Sequence, residues 1–554
     1  MNKGNYLKLT AAFLAIITVL WIIYLALTPV ISRDALILHM AFPKLWAKES
    51  FLYFQDHNLS TVSMMNLDYI YMLLFKYFSW EGLPKILHAS LLISSAFFLY
   101  LFLKKRFGWL NAFIFSIIFI TIPINQRLAS EAYVDLGVLF FSTLAIIYFI
   151  KFAESDWINT KYLIFSAVFS GLSVGTKYSG AILPAVIVLI IGFTVAKKEN
   201  SSLKAFKYIT VFSLIVLFLM SPWLLRSYLA VGNPFYPLLN SIFTPDIISP
   251  ATNLQVPANE YITRSMYGES LLDLASIPFR LFFSGTDGDL IGGFDGVLNP
   301  MLLLLFIPLL ITRLRKFSAY RPVIEPLSAV FILSFVFFLI YGHLRIRYFI
   351  YSIPLLIILN AYFIDTLKNK LRRKYYLFAS VFIFSIFLFF NLKYSFELTK
   401  YLDTSGYIFG SETKEEYLLR KLPEYEVGQK INKYTPYNAV IYEALCGHRT
   451  YYIERSVVFD DFFLDRYLYN FIDSEAETAD YLNHFENLPF KNYKKADYLM
   501  IKKAGFLDTY KNAFSILHPD SLINERIQRF EIFLDHQEQL YHKDGIYIYS
   551  LKYK

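Results

Sequence analysis

The chain has 554 residues, of which 56% are hydrophobic and only 18% are charged, whereas soluble globular chains typically carry about 25% charged residues. A single hydrophobic core stops growing near about 250–300 residues, so the 55 Phe and 43 Tyr cannot all be packed inside water-soluble domains. With 22 Gly, 21 Pro and one Cys, collagen-like, disordered and disulfide-rich classes are excluded, and a multi-pass α-helical membrane protein remains.

Apolar runs predict the membrane-spanning helices, beginning with residues 9–31. That run holds 23 residues without a charge, enough for a helix of roughly 34 Å across a hydrocarbon core of about 30 Å. It is too long for the apolar part of a signal peptide and lacks a small-residue cleavage site, which predicts a retained first span. Further runs at about 84–103, 109–124, 133–150, 162–176, 179–196, 208–225, 300–312, 324–341, 348–366 and 375–392 bring the prediction to about eleven transmembrane helices in a membrane domain over 1–392.

Basic residues mark every second connection between these runs. They lie at Lys3 and Lys8 and in the segments 104–106, 151–161, 197–207, 313–321 and 368–374. Because cytoplasmic loops carry the excess of Lys and Arg, we predict a plasma (inner) membrane protein with a cytoplasmic N-terminus and with loops 31–83 and 226–299 outside. The formal charge of +9 is explained by this topology and by anionic lipid at the inner face, so no nucleic-acid partner is predicted.

The segment after the last span, 393–554, is richer in charge and predicts an extracytoplasmic soluble α/β domain. Thr413-x-x-Glu416 is typical of a capping box that begins a helix. Residues 439–445, 449–453, 498–501 and 546–551 alternate or cluster as short strands do. In the first outer loop, 35–46 and 68–78 are amphipathic and predict helices that lie in the membrane interface.

Charged residues near the predicted spans cluster at their outer ends. Glu131 and Asp135 are four positions apart, so they are predicted to share one helix face at the start of the fourth span. One guanidinium group can donate two parallel hydrogen bonds to the oxygens of a phosphate, and Lys adds a point charge. The clustered charged residues therefore indicate a site for an anionic lipid phosphate. The alternative is that the cations are interfacial anchors. The full set is Asp34, Glu131, Asp135, Lys177, Arg226, Arg345 and Arg347.

A series of short motifs follows the chain through most of 1–360. They are Asp34-x4-His39-x3-Pro43-Lys44-x-Trp46, Tyr133-Val134-Asp135-Leu136, Gly175-Thr176-Lys177-Tyr178, Ser221-Pro222-Trp223, Gly232-Asn233-Pro234-Phe235-Tyr236-Pro237, and Arg347-Tyr348 with Pro354. Each motif is weak alone, but their order on one membrane side resembles the GT-C superfamily of membrane glycosyltransferases, in particular its bacterial ArnT/PMT-like and RgtA/B/C/D-like group. Members of this family take sugar from a polyprenyl-phosphate donor. The C-terminal domain resembles the family only in outline.

The resemblance implies an inverting glycosyl transfer at the outer face of the membrane. Asp34 would be the general base that deprotonates a hydroxyl of a glycan, lipid or protein acceptor, while polyprenyl phosphate leaves the anomeric carbon. Many members have a second carboxylate beside this base, where the present chain has Ala35, so Glu131 or Asp135 would supply the partner or Asp34 would act alone. The implied substrate-binding residues are Lys177, Arg226, Arg345 and Arg347 for the phosphate, Glu131 and Asp135 for sugar, acceptor or metal, and His39 and Lys44 of the first motif.

Several residues have a second interpretation. Arg33 is the neighbour that would make Asp34 a structural ion-pair partner, and His39 is either a proton carrier or a packing residue. Asp287-Gly288-Asp289 imitates the DxD of soluble nucleotide-sugar transferases, but it lies in a Gly-rich loop predicted to cover the site. No cluster has the spacing of a zinc site. No cofactor is predicted firmly, and a hard divalent ion held by Asp34, Glu131 or Asp135 stays open.

Three other functions compete with glycosyl transfer to a separate acceptor. The first is a polymerase or ligase that joins lipid-linked oligosaccharides. The second is a non-enzymatic transporter or flippase of lipid-linked sugars, for which internal repeats and helices interrupted at the bilayer midplane are expected; neither feature is visible in the sequence. The third is a membrane-anchored sensor that binds a ligand through 393–554. The sequence leaves open which sugar, acceptor and lipid chain are used.

Overall fold

The computed structural model describes residues 3–48, 62–78, 80–243, 260–288, 293–311, 320–341, 343–459, 468, 472, 478–488, 495–515 and 522–552. In its first 402 residues the α-helices are α1 (Lys3–Ala26), α2 (Ala41–Lys48), α3 (Asn66–Tyr77), α4 (Leu83–Phe107), α5 (Trp109–Thr121), α6 (Pro123–Ala129), α7 (Asp135–Glu154), α8 (Thr160–Thr176), α9 (Ile182–Glu199) and α10 (Ser202–Val231). They continue as α11 (Asn240–Phe243), α12 (Glu260–Met266), α13 (Leu271–Ala275), α14 (Ile277–Phe283), α15 (Met301–Ile311), α16 (Arg321–Tyr341), α17 (Ile353–Lys370) and α18 (Arg373–Leu402).

Each of the eleven apolar runs falls on one of these helices, so the multi-pass helical fold is confirmed. Within the described residues, eight helices are long and apolar enough to cross a membrane, and the bent pair α5–α6 makes a ninth when it is counted as one span. Helix α8 is slightly shorter, with 17 residues, and α15 is described over 11 residues. The count of eleven spans therefore stays a prediction.

A break between α5 and α6 bends the chain by 60° at the end of the bundle where α7 begins. Pro123 has no N–H to donate, so carbonyl groups of the preceding turn lose their helical partners. Side-chain amides replace those donors: Asn125 Nδ2 donates to the Phe119 carbonyl at 2.7 Å, and Gln126 Nε2 donates to the Thr121 carbonyl at 2.5 Å. Gln126 Oε1 also accepts the Trp21 indole N–H at 2.9 Å, which ties the break to α1.

The C-terminal part of the chain is a small α/β layer. It contains α19 (Ser405–Ile408), α20 (Lys414–Lys421), α21 (Glu424–Tyr434), α22 (Thr478–Glu486), α23 (Lys503–Ser515) and α24 (Leu522–Asp535), with strands β1 (Val440–Ala444), β2 (Ser456–Val458), β3 (Tyr498–Lys502), β4 (Glu538–Lys543) and β5 (Ile546–Ser550). The sheet order is β2-β1-β3-β5-β4. Strands β1, β2 and β3 are parallel, whereas β5 is antiparallel to β3 and β4.

Side chains alternate between the two faces of this sheet, and both faces are buried against helices. Ile441, Met500 and Ile548 pack on one face with α21, while Tyr442 and Leu499 pack on the other with α22, α23 and α24. The predicted capping box is confirmed, since the Thr413 hydroxyl accepts from the Glu416 N–H and the Glu416 carboxylate accepts from the Thr413 N–H.

The strand predicted at 449–453 is wrong. Residues Thr450–Tyr452 form a 3-10 turn, the strand of this region is β2, and β4 was not predicted. The turn packs on the first outer loop: the Tyr452 hydroxyl donates to the Val30 carbonyl at 2.9 Å, and Tyr451 is buried. Its aromatic side chains therefore serve this contact rather than a sheet.

Candidate active site

Asp34 lies in a short turn immediately after α1. The turn Ala35–His39 is π-helical, and Ala35, Leu36 and Met40 are buried in the main core, which anchors the loop. The Asp34 N–H donates to the Tyr133 hydroxyl at 3.4 Å. The Asp34 carboxylate forms an ion pair with the Arg347 guanidinium, and it is 24% exposed. The ion-pair partner that the structure shows for Asp34 is thus Arg347, which is distant in sequence.

Arg347 projects from the 3-10 helix Ile346–Ser352 that leads into α17. Its side chain is only 3% exposed, and its Nε lies 2.7 Å from Asp295 Oδ2. The guanidinium carbon lies 5.3 Å from the ring centres of both Tyr133 and Tyr348. A buried cation in this position is held by carboxylates on one side and by aromatic faces on the others.

Asp295 is positioned by a tight loop that is fastened to the bundle. The Ile346 N–H donates to the Phe294 carbonyl at 2.6 Å, and the Gly296 N–H donates to the Thr286 carbonyl at 2.9 Å. Asp295 has φ of 43° and Gly296 has φ of 153°, so the chain turns sharply here. This geometry points the Asp295 carboxylate inward, where its side chain is only 4% exposed.

Arg127 of α6 completes the network on the other side of Asp295. Its guanidinium lies 2.8 Å from Asp295 Oδ1, 3.2 Å from Glu131 Oε1 and 3.4 Å from Asp287 Oδ1. Arg345 joins at the edge, 3.8 Å from Asp295, with its side chain 35% exposed. Three guanidinium groups and four carboxylates therefore meet at the end of the bundle that carries Asp34.

The two carboxyls Asp34 and Glu131 have opposite electrostatic surroundings. Burial alone raises the pKa of Asp34, but Arg347 and Lys177 outweigh it and hold that pKa well below its usual range. Burial raises the pKa of Glu131 to about 7, against the opposing effect of Arg127 and Arg347. Within the described part of the chain, Glu131 Oε2 is buried and accepts no hydrogen bond.

Asp34, Glu131 and Arg347 line one cavity of about 740 Å³. This volume is in the range of ordinary ligand sites, about 300–1,000 Å³. Its remaining wall includes residues of the first outer loop, the α6–α7 connection, the 285–288 turn, the last turns of α18 and the C-terminal layer. Polar residues of that wall include Arg33, Ser130, Asp287, Lys393, Glu397 and Arg449.

The expectation that Glu131 and Asp135 share one helix face is wrong. Helix α7 begins only at Asp135, and Glu131 lies in the connection from α6. Asp135 faces Lys177, whose Nζ lies 2.9 and 3.1 Å from its two carboxylate oxygens. Lys177 directly follows α8, and its Nζ lies 4.9 Å from the ring centre of Tyr348, the residue after Arg347.

The other residues selected from the sequence lie farther from the cavity. The Arg226 guanidinium lies 5.1 Å from the Trp46 ring centre, and buried His39 forms a 2.7 Å contact with Asp68. Lys44 Nζ lies 2.6 Å from Glu454 of the C-terminal layer. Arg226, His39 and Lys44 are not among the described residues that line the cavity. Asp135, Lys177 and Arg345 do not line it either.

Arg127 and Asp287 belong to the charged network, although neither was predicted as a site residue. Arg127 had a visible signal, because it is a cation four residues before Glu131 in a short outer segment. Asp287 accepts a hydrogen bond from the Tyr394 hydroxyl of α18, and no sequence spacing indicates that partner. Asp289, the second member of the Asp-Gly-Asp motif, lies outside the described residues.

The carboxylates do not fit a divalent ion in this arrangement. Asp34, Glu131 and Asp135 each pair with a different cation, Arg347, Arg127 and Lys177, so the three carboxylates do not converge on one point. In the part of the chain that the structure describes, no group of three His, Cys, Asp or Glu side chains could hold a metal ion.

The whole chain shares its fold with solved membrane glycosyltransferases. ArnT from Cupriavidus metallidurans bound to undecaprenyl phosphate is similar with a TM-score of 0.56 and 12% identity, covering 100% of this chain and 99% of that chain. The oligosaccharyltransferase AglB from Archaeoglobus fulgidus, in complex with an inhibitory peptide and a dolichol-phosphate, is similar with a TM-score of 0.52 and 12% identity, covering 99% and 75%. The GT-C resemblance is therefore confirmed as a likeness of fold.

The amino-acid sequence also matches the model of a protein family. Residues 70–353, just over half of the chain, match the model of the family described as "Domain of unknown function (DUF8201)". No curated protein sequence matches the chain.

Proposed function

The chain belongs to the DUF8201 family, and we propose that it is a glycosyltransferase that moves a sugar from a polyprenyl-phosphate donor to an acceptor at the outer face of the plasma membrane. Its fold supports this function, because the similar chains ArnT and AglB have been solved with undecaprenyl phosphate and dolichol-phosphate. The acceptor is a hydroxyl of a glycan, a lipid or a protein.

The observation that carries the proposal is the Asp34–Arg347 ion pair in the wall of a 740 Å³ cavity. The ion pair brings together a carboxylate, which we assign as the base, and a guanidinium, which we assign to the donor phosphate. Arg347 is well suited to the phosphate because its guanidinium has five N–H donors in a planar fork. Arg345 and Lys177 supply further positive charge nearby, and Arg226 remains a proposed outer contact of the lipid phosphate.

Donor binding changes the state of Asp34. In the structure, Arg347 keeps the pKa of Asp34 low, so the carboxylate is a weak proton acceptor. A donor phosphate that takes over the Arg347 N–H groups weakens this effect, so that burial raises the pKa of Asp34 against the smaller effects of Lys177 and His39. Asp34 thereby becomes a stronger base only when a donor is present.

The reaction then needs no further reagent. Asp34 accepts the proton of the acceptor hydroxyl, whose oxygen forms a bond to the anomeric carbon. The bond from that carbon to the phosphate oxygen breaks, and its electron pair leaves with polyprenyl phosphate. Arg347, already in place, stabilises the charge that grows on the leaving phosphate. Attack from the face opposite the leaving group inverts the anomeric carbon.

The other site residues have supporting roles in this proposal. Glu131 lines the cavity, and we assign to its carboxyl group the binding of a hydroxyl of the sugar or acceptor. Asp135 orients Lys177, His39 is oriented by Asp68, and Lys44 joins the first outer loop to the C-terminal layer. We propose 1–392 as the transmembrane domain and 393–554 as the extracytoplasmic domain, with α18 continuing across the boundary to Leu402.

The experiment that tests the function uses the purified full chain in liposomes with polyprenyl-phosphate sugars that carry a label in the sugar. We expect loss of labelled donor, formation of free polyprenyl phosphate, and label in an added acceptor from a panel of envelope glycans, lipids and peptides. Movement of intact donor between leaflets without bond cleavage would instead identify a flippase. Label that accumulates on a second lipid-linked oligosaccharide would identify a polymerase.

A further inference from the structure

A second cavity, apart from the Asp34 site, lies between α1, α4 and α5. It is an apolar groove of about 650 Å³. Small side chains create it, because Ala11 and Ala15 of α1 and Ala96 of α4 leave space that larger residues would fill. Trp109 and Ile120 of α5 form another wall.

Two cations lie at one end of this groove. Lys8 is near the start of α1 and Lys104 is near the end of α4, and both side chains are exposed. Nearby Arg106 is paired with Glu154, whereas the described part of the chain shows no ion pair from a carboxylate to Lys8 or Lys104. The groove is therefore apolar along its length and basic at one mouth.

The basic mouth lies on the membrane face opposite the Asp34 site. Helix α1 extends 18 residues from Lys8 to Ala26, or about 27 Å, before the chain reaches Asp34. The groove itself follows α1 from Lys8 to Val19, or about 16 Å. Since the hydrocarbon core is about 30 Å thick, the groove spans one leaflet, the one on the side of the basic loops.

We propose that this groove is a binding site for an anionic phospholipid of that leaflet, with its phosphate between Lys8 and Lys104 and one acyl chain along α1. The length matches one leaflet, and the charge matches the headgroup. Basic pockets between transmembrane helices on the cytoplasmic side suit anionic headgroups in general. The proposal is independent of the glycosyl-transfer reaction, whose donor phosphate belongs at the other membrane face.

A photo-crosslinkable phosphatidylglycerol, with the reactive group on its acyl chain, tests the site on the purified full chain in phosphatidylcholine nanodiscs. We expect crosslinks, mapped by mass spectrometry, in the segments 11–19 and 109–120. Unlabelled phosphatidylglycerol should compete, and neither added phosphatidylcholine nor polyprenyl phosphate should compete comparably.

Variants separate the charge from the groove. Lys8→Gln and Lys104→Gln should each weaken labelling about fivefold, the order expected for one cation at an anionic surface. Lys105→Gln is the matched control, since Lys105 adjoins Lys104 but does not line the groove, and it should leave labelling unchanged. Equal competition by phosphatidylcholine, equal effects of Lys104→Gln and Lys105→Gln, or displacement by polyprenyl phosphate would overturn the proposal.

Discussion

Two carboxyl groups in one cavity have pKa values that move in opposite directions. Asp34 is kept ionised by Arg347, whereas burial raises the pKa of Glu131 to about 7. When Glu131 is protonated, the three guanidinium groups of the network face three carboxylates, so the charges balance. Divergent pKa values in neighbouring groups are typical of acid–base sites.

The raised pKa of Glu131 predicts that the stability of the folded chain decreases as pH rises. Between its ordinary pKa of 4.5 and about 7, the folded chain holds a proton that the unfolded chain releases. Stability is therefore lost as pH rises through this window, on the order of 3 kcal/mol at about 1.4 kcal/mol per pKa unit. Glu131→Gln should match the wild type at pH 5 and be the more stable protein at pH 8, as measured by thermal unfolding.

Glu397→Gln provides the control for that experiment. Glu397 lines the same cavity, but its side chain is 58% exposed. Its substitution should shift the unfolding temperature equally, or not at all, at the two pH values. If the curves of the wild type and Glu131→Gln run parallel from pH 5 to pH 8, Glu131 does not hold its proton in the folded protein.

At the scale of elements, most of the charged network is positioned by the loop that carries Asp287 and Asp295 and by the break between α5 and α6. The turn that carries Asp287 and Asp295 closes on itself, because Gly285 and Gly296 are in close backbone contact. A Cβ at Gly285 would lie 2.4 Å from the Gly296 carbonyl oxygen, nearer than real Cβ contacts allow. The position requires glycine because the clash is with backbone, which cannot rotate away.

Gly285→Ala should therefore displace Asp295 from Arg347 and Arg127. We expect a loss of stability of about 1–3 kcal/mol, as for other overpacking changes, and a larger relative loss of transfer activity. Gly505→Ala is the control, since the nearest atom to its Cβ is 3.6 Å away and Gly505 lies in α23. Unchanged activity and stability in Gly285→Ala would show that the loop does not hold the site.

The site could be predicted where its residues border apolar runs. Asp34, Glu131 and Arg347 stand out because a charge at the end of a hydrophobic segment is rare and conspicuous. The pairing of Glu131 with Arg127 was not foreseen, since the four-residue spacing of Glu131 and Asp135 looks helical. In the fold, the break at Pro123 ends one helix early and α7 starts late, so these two carboxyls receive different partners.

At the scale of the whole molecule, the chain separates its charges between two ends of the bundle. The Asp34 network and the C-terminal layer lie at one end, joined by the Lys44–Glu454 and Tyr452–Val30 contacts. The basic connections and the proposed lipid groove lie at the other end. The fold class followed from apolar runs and strand alternation, whereas the turn at Thr450–Tyr452 depended on a tertiary contact that local sequence does not encode.

This separation predicts the orientation of the chain in the membrane. Cys446, the one cysteine of the sequence, is buried, so a Cys446→Ser background should carry single cysteines at exposed Glu538 or Lys105. A membrane-impermeant maleimide should label position 538 in spheroplasts and position 105 only after permeabilisation. The reverse pattern would place the Asp34 site in the cytoplasm and contradict the proposed donor side.

The most direct measurement of the central claim compares donor binding and sugar transfer in the wild type and Asp34→Asn. The substitution keeps size and hydrogen bonding but removes the proton acceptor, and Asp544→Asn, at an exposed turn residue, is the matched control. We predict that Asp34→Asn folds and binds the polyprenyl-phosphate sugar, yet transfers it about 10²–10⁴ times more slowly. Transfer at the wild-type rate by well-folded Asp34→Asn would contradict the account.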